Sequence, residues 1–175
     1  MVTTKEKQTF RDDRGRKVRT EHYTKSGILD YTNEYFYNGN DKVPSRGLQT
    51  YVYENGTVGR IRRAVYSAEQ NRMVFINDCL YDENGDKTQE HSFDEKTGCL
   101  TKEKIFKKNS EGYIFAHRKT FDKNGNIESD GIYIVLAGKL WPIEDKKYNV
   151  LGKIENPFKK ESKIRLLNRF VENIR

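Results

Sequence analysis

The chain of 175 residues is 34% charged and only 34% hydrophobic, with a formal net charge of +7. That apolar share is small for a thick two-layer core, while eleven Tyr, nine Phe and one Trp argue against a disordered chain. No window approaches the roughly eighteen consecutive apolar residues of a spanning helix, so no transmembrane segment is predicted.

From the N-terminus, residues 8–135 repeat an aromatic residue, a few polar residues, a glycine and a β-prone run. Asn-Gly pairs at 38–39, 55–56, 84–85 and 124–125 predict tight hairpins, because both residues tolerate the positive φ angles that such turns need. Consecutive hairpins predict an all-β fold, an antiparallel β-meander of about eight to ten short strands over residues 1–136. An open twisted sheet and a partly closed barrel are both compatible with this pattern. The repeats begin at Phe10, Tyr23, Tyr53, Tyr66, Tyr81, Phe93, Phe106 and Phe121.

Alternate residues of a strand face the same side of its sheet. Lys102, Lys104 and Phe106 therefore share one face, and this mixture of charged and aromatic residues is typical of a sheet that is wet on both sides. We expect cross-strand aromatic pairs, about 0.2–1 kcal/mol each, to stabilise the sheet in place of a deep core.

The repeat ends after residue 136. Residues 137–156 contain Gly138, Trp141-Pro142 and Gly152 and are predicted to be an irregular connector. The spacing of apolar residues beyond Pro157 predicts one amphipathic α-helix over 157–175. We expect this helix to pack on the sheet, with docking on a partner, a membrane or a nucleic acid as alternatives. Its basic side carries Lys159, Lys160, Lys163, Arg165 and Arg169.

The runs YDENGDKT at Tyr81 and FDKNGNIE at Phe121 resemble the Tyr-Asp-x-Asn-Gly units of bacterial MORN-like and YD-type β-hairpin repeat proteins, which include an antitoxin-type family. The resemblance covers residues 8–135. It implies an extended antiparallel sheet used for binding or scaffolding, no shared active site, a bacterial or phage source, and a toxin-neutralising role.

Residues that carry chemistry are scattered along the chain. The three histidines are not at metal-ligand spacing, and Cys79 and Cys99 form no CxxC pair; a disulfide between the two cysteines stays open. No P-loop, nucleophile elbow or dinucleotide fingerprint occurs. We therefore predict no catalytic residue, no metal site and no cofactor, while acid–base catalysis by a pair of the 26 acidic residues stays open.

These observations favour a non-enzymatic protein–protein binding or assembly module, such as a scaffold, a structural component or an antitoxin-like immunity protein. The alternatives are a lipocalin-like up-and-down barrel that carries a small apolar ligand and a binder of single-stranded nucleic acid through an aromatic and basic sheet face. Nucleic acid is the weaker partner, because residues 152–175 hold +4 of the net charge and leave only +3 for the other 151 residues.

The expected partner is thus another protein, and the oligomeric state is open. We expect a cytoplasmic or virion-associated location, with a secreted origin open if a leader has been removed before Met1. The predicted binding residues are Tyr53, Tyr66, Tyr81, Phe93, Phe106, Phe121, Arg60, Arg62, Lys102 and Lys104.

Overall fold

The computed structural model describes residues 6–147 and contains eleven β-strands, whose order in the sheet follows the chain. The described strand pairs are antiparallel, so the predicted antiparallel β-meander is confirmed. The strands are β1 Lys7–Arg11, β2 Lys17–Tyr23, β3 Leu29–Phe36, β4 Arg46–Val52, β5 Val58–Ser67, β6 Arg72–Tyr81, β7 Lys87–Phe93, β8 Leu100–Lys108, β9 Ile114–Phe121, β10 Ile127–Leu136 and β11 Lys139–Lys147.

The chain divides into two compact units, Met1–Cys99 and Leu100–Arg175. The first unit contains β1 to β7, and the described part of the second unit contains β8 to β11. Within each unit, most successive strands are joined by short turns, which is a connection that antiparallel neighbours allow; the connection between β3 and β4 is longer.

The turn between β6 and β7 shows why the aromatic-Asp-x-Asn-Gly pattern forms hairpins. The Asp82 N–H donates to the Asp86 carbonyl at 2.9 Å, and the Gly85 N–H donates to the Asp82 carbonyl at 3.0 Å. The Asp82 carboxylate accepts the N–H groups of Asn84 and Asp86, each at 3.0 Å. Gly85 has a φ of +83°, a left-handed conformation that glycine adopts at little cost. The aspartate and the glycine together therefore specify the turn.

Turns at the same end of the first unit are hydrogen-bonded to each other. The Tyr53 hydroxyl donates to the Tyr81 carbonyl at 2.7 Å, and the Asn55 amide donates to the Glu83 carbonyl at 3.3 Å. Both bonds join residues 28 positions apart. These two turns, which lie two strands apart, are therefore held to each other by side-chain hydrogen bonds.

Few side chains are fully buried, and nearly half of them are polar. A core of this size contributes little apolar burial, so contacts between paired side chains on neighbouring strands are left to stabilise the sheet. The buried side chains among the described residues are Thr20, Thr32, Ala64, Ser67, Val74, Asp78 and Cys79 in the first unit and Ala116 and Tyr133 in the second.

The predicted fold class is wrong in its strand count. The structure has eleven strands instead of eight to ten, and residues 6–147 contain no helix. None of these residues belongs to a helix long and apolar enough to cross a membrane. The helix predicted over 157–175 lies outside the described residues, together with its basic residues Lys159, Lys160, Lys163, Arg165 and Arg169.

Strand β11 accounts for part of the difference, because it lies in the 137–156 segment that the sequence predicts to be irregular. Ala137 and Gly138 both have positive φ, +49° and +74°, and form a two-residue hairpin turn between β10 and β11. Pro142 pairs with Tyr133 beside a register shift, and a bulge is one of the few places where a strand tolerates proline. Gly138 and Pro142, which favour an irregular segment in the sequence, therefore form a turn and a bulge within the sheet.

Candidate functional site

One row of side chains crosses four strands of the first unit. The register places His22 of β2, Tyr31 of β3, Tyr51 of β4 and Arg60 of β5 opposite one another in turn. The rings of His22 and Tyr31 are stacked with centroids 4.1 Å apart, and the centroids of Tyr31 and Tyr51 are 5.2 Å apart. The Arg60 guanidinium carbon is 5.9 Å from the Tyr51 centroid. We call this the aromatic row.

A second row, which we call the amide row, lies two residues along the same strands. It contains Thr20, Asn33, Gln49, Arg62 and Asp78, each paired in register with the next. The Asn33 amide donates to the Thr20 hydroxyl at 3.1 Å, and the Gln49 amide donates to the Asn33 side-chain oxygen at 2.9 Å. Because alternate residues of a strand face the same side, both rows belong to one face of the sheet. This is the ladder face.

Asp78 joins the two rows. Arg60 Nε donates to one Asp78 carboxylate oxygen at 2.9 Å, and an Arg60 terminal nitrogen donates to the other. The Asp78 side chain is only 6% exposed, whereas that of Arg60 is 39% exposed. The hydrogen bond to Asp78 is the main cause that raises the pKa of Arg60. A forked arginine–carboxylate pair of this kind fixes the orientation of both groups.

Arg62 is held in a different way from Arg60. Its guanidinium carbon lies 3.5 Å from the centroid of the Phe75 ring, and its Nε is 3.7 Å from the Asp78 carboxylate, beyond hydrogen-bond distance. The Arg62 guanidinium makes no hydrogen bond among the described residues, and its Nε is buried. Gln49, its register partner on β4, has a buried side-chain oxygen that is also without a hydrogen bond. Arg62 is therefore positioned by stacking on Phe75 and by the nearby Asp78 charge, and its Nε has no hydrogen-bond partner within the described structure.

The ladder face carries more positive charge than the opposite face. Its two rows contain the cations Lys7, Arg60 and Arg62 and one carboxylate, Asp78, for a net of +2. Two rows of the same strands face the other way: one lies between the aromatic row and the amide row, and the other lies beyond the amide row. Together they contain two cations and three carboxylates, for a net of −1. Those residues are Arg19, Arg63, Glu21, Glu34 and Glu90.

In the second unit, a tyrosine is packed over a glycine. Tyr133 is 6% exposed and pairs in register with Ala116, which is fully buried. Its ring is so near Gly131 that a Cβ there would lie 3.0 Å from Tyr133 Cε2. Burial, and after it a hydrogen bond with Asp145, raises the pKa of Tyr133 to about 12. The phenol is therefore protonated at neutral pH and serves as a packing group.

The cysteines and histidines lie apart from one another. Cys79 belongs to a row that faces away from the ladder face, and burial raises the pKa of its thiol, which disfavours the reactive thiolate. Cys79 and Cys99 are both free. His117 is hydrogen-bonded to Asp130 in the second unit. Within the part of the chain that the structure describes, no three potential ligand side chains gather to hold a metal ion.

The predicted binding residues of the first unit are only partly brought together. Arg60 and Arg62 share the ladder face and meet the same carboxylate. Tyr53 uses its hydroxyl to bond the Tyr81 backbone, and the Tyr66 hydroxyl is bonded to a residue of the following turn. Phe93 lies 6.4 Å from a histidine ring. The hydroxyls of Tyr53 and Tyr66 thus bond turns and strand ends.

The remaining predicted residues belong to the second unit. Lys102, Lys104 and Phe106 alternate along β8 and share one face of its sheet, as the sequence predicts. Phe121 faces the other side, because Lys102 pairs with Thr120, the residue before it. Phe106 and Phe121 therefore do not belong to one binding surface.

Most members of the ladder face are not among the residues that the sequence predicts to bind. His22, Tyr31, Tyr51, Phe75 and Asp78 were not among the predicted binding residues. A pattern in the sequence identifies some of them, because Tyr-x-Asn in β3 is followed by the reverse order, Gln-x-Tyr, in β4. Antiparallel strands need this reversal to align like residues.

The comparisons with known proteins leave the family open. No family model matches the sequence, and no curated protein matches it. Among solved structures, the chain is similar to a crystal structure of a protein with unknown function from Bacteroides fragilis. The two share 12% sequence identity over 84% of this chain and 94% of that chain, with a TM-score of 0.22.

Proposed function

We propose that this protein is a non-enzymatic protein–protein binding or assembly module, such as a scaffold or an antitoxin-like immunity protein, and that the ladder face is its binding surface. The observation that carries the proposal is the pair of side-chain rows, in which tyrosine, arginine and amide groups fix one another across five strands. Tyrosine and arginine are the residues most enriched at energetically important positions of protein interfaces.

Order in the free protein favours binding. Immobilising a long side chain on association costs about 0.5–1.5 kcal/mol. Arg60 is already held by Asp78 and Tyr31 by two neighbouring rings. These groups are half-buried rather than enclosed, so they remain accessible. These side chains are therefore ordered before a partner docks on the ladder face, so that binding costs little further side-chain entropy.

The same rows disfavour the two alternative functions. Single-stranded nucleic acid binds by stacking bases on open ring faces, whereas the rings of the aromatic row cover one another. A carrier of apolar ligands needs a mostly apolar lining, whereas both rows of the ladder face contain charged groups. Neither alternative gains support from the first unit.

The proposal is tested by covering one face of the sheet at a time. Thr9 and Gln8 are exposed neighbours on β1, and only Thr9 belongs to a row of the ladder face. Thr9→Cys and Gln8→Cys, each made with Cys99→Ser so that the exposed native thiol is absent, are coupled to a polyethylene glycol maleimide and used as bait in lysate of the native host.

We expect one specific protein to be retained at high salt by the Gln8→Cys conjugate and lost with the Thr9→Cys conjugate, identified by mass spectrometry. Equal retention by both conjugates would remove the ladder face as the binding surface. Recovery of nucleic acid alone, released by salt, would replace the proposal with an electrostatic nucleic-acid binder. Circular dichroism of both conjugates controls for folding.

A further inference from the structure

Arg60 and Arg62 lie two residues apart on β5 and face the same side, yet only Arg60 has its donors matched. Asp78 accepts from Arg60 through both carboxylate oxygens. Arg62 lies 3.7 Å from the same carboxylate and has no hydrogen bond among the described residues. A guanidinium has five N–H donors, and one that is fixed in place but makes no hydrogen bond has donors left for an anion.

We propose that Arg62, stacked on Phe75, is a carboxylate-binding site that receives an aspartate or glutamate side chain from an acidic segment of the partner protein. The inference rests on the proposed binding function of the ladder face and names the chemistry of the partner. Of the two arginines on the ladder face, Arg62 makes this contact and Arg60 does not.

The geometry of the stack defines how a carboxylate approaches. Phe75 covers one face of the Arg62 guanidinium at 3.5 Å, and Nε is buried. The side chain is 26% exposed, and because Nε is buried, the donors left for a ligand are the terminal nitrogens. Two parallel N–H groups at this edge match the two oxygens of a carboxylate, the bidentate arrangement that arginine forms and lysine does not.

The stack also strengthens the contact. Phe75 is itself one of the exposed large apolar residues of the sheet, at 36%, so it shields one side of an ion pair at Arg62 from water. Ion pairs that are partly removed from water are screened less by salt than those that are fully exposed. Phe75 therefore acts as a positioning residue that fixes the plane of the guanidinium.

The charge around the site favours an acidic partner. The two rows of the ladder face carry a net of +2, and their one carboxylate is bonded to Arg60. The rows that face the other way carry a net of −1, with Arg19 bonded to Glu21 at 2.6 Å. An acidic segment is therefore attracted to the ladder face and not to the opposite face.

The experiment is a titration of the full chain, with its arginine side chains labelled with nitrogen-15. The probe is an acetylated, amidated peptide of alternating glutamate and glycine, and the matched probe has glutamine in place of glutamate. We expect the Nε–Hε signal of Arg62 to shift with the glutamate peptide and to stay in place with the glutamine peptide. An unmoved Arg62 signal at saturating glutamate peptide overturns the inference.

Two variants separate the effect of the bidentate guanidinium geometry from the effect of the positive charge. Arg62→Lys keeps the charge and loses the fork, and Arg63→Lys makes the same change one residue along β5, on the opposite face. We expect Arg62→Lys to bind the glutamate peptide about tenfold more weakly and Arg63→Lys to bind it like the unchanged protein. Equal affinity of the two variants, or displacement of the peptide by oligothymidine at equal concentration, contradicts carboxylate recognition at Arg62.

The same variants distinguish a failure of the inference from a failure of the proposed function. If the partner captured through the ladder face is retained equally by Arg62→Lys and Arg63→Lys, the binding function holds and the carboxylate site is wrong. If covering the ladder face at Thr9 has no effect on capture, the proposed function fails whatever the peptide does.

Discussion

The two units of this protein stabilise thin antiparallel sheets in different ways. The first unit bonds several of its buried polar groups across strands, with Thr20 bonded to an amide and Asp78 bonded to an arginine. The second unit buries an aromatic ring against backbone, with Tyr133 over Gly131 and beside Ala116. A sheet with little apolar core can therefore depend either on side-chain hydrogen bonds or on close approach at a glycine, and the two dependences predict different sensitivities to mutation.

The largest effect is expected where the second unit is tightest. A Cβ at position 131 would lie 2.6 Å from the Glu144 carbonyl oxygen. This oxygen belongs to the backbone, which cannot change rotamer to relieve the clash as a side chain can. Gly131→Ala should lower the free energy of unfolding by about 2–3 kcal/mol, measured by urea denaturation. Gly47→Ala is the matched control in the first unit, because its nearest neighbour is the terminal methyl of Met73 at 3.2 Å. Equal losses in the two variants would contradict this account.

The next effect concerns the buried ion pair of the first unit. Asp78→Asn removes the charge that bonds Arg60 and should lower the free energy of unfolding by about 2 kcal/mol, the range for hydrogen bonds to charged groups. Asp130→Asn breaks the more exposed pair with His117 in the second unit and should cost about 0–1 kcal/mol. A larger loss for Asp130→Asn than for Asp78→Asn would reverse the comparison between the units.

The amide row should show coupling between its members. Asn33 accepts a hydrogen bond from Gln49 and donates one to Thr20, so Asn33→Ala should lower the free energy of unfolding by about 1 kcal/mol. In a double-mutant cycle, Gln49→Ala should have a smaller effect in the Asn33→Ala background than in the unchanged protein. Strict additivity would show that the two amides do not act as a row.

The last effect is absent at neutral pH and appears as a dependence of stability on pH in the alkaline range. The pKa of Tyr133 is raised to about 12 in the folded protein from an unfolded value of about 10. The contribution of the protonated phenol is therefore fully present below pH 10 and is lost as the pH rises through the folded pKa. Tyr133→Phe should flatten the loss of stability between about pH 10 and pH 12. An unchanged slope in Tyr133→Phe would assign the loss to other groups.

The fold was largely predictable, and the ladder face was not. Turn motifs such as Asp82 to Gly85 are local, so the sequence predicts the hairpins and the meander directly. The rows depend on register, and a slip of one residue moves a whole strand's side chains to the other face. The long connection between β3 and β4 and the register shift within the β5–β6 pair hide that register. For this reason Arg60 and Arg62 were predicted as binding residues, whereas Asp78 and Phe75 were missed.

The hydrogen bonds that join turns 28 residues apart also constrain how such a chain changes in length. Tyr53 and Asn55 in one turn bond the turn two strands further on. Inserting or deleting a single strand would reverse the direction of every strand that follows and place facing turns at opposite ends. Removing or duplicating two strands together preserves both the direction and the bonds. Sheets of this kind are therefore expected to grow and shrink in evolution by even numbers of strands, in steps of one double hairpin.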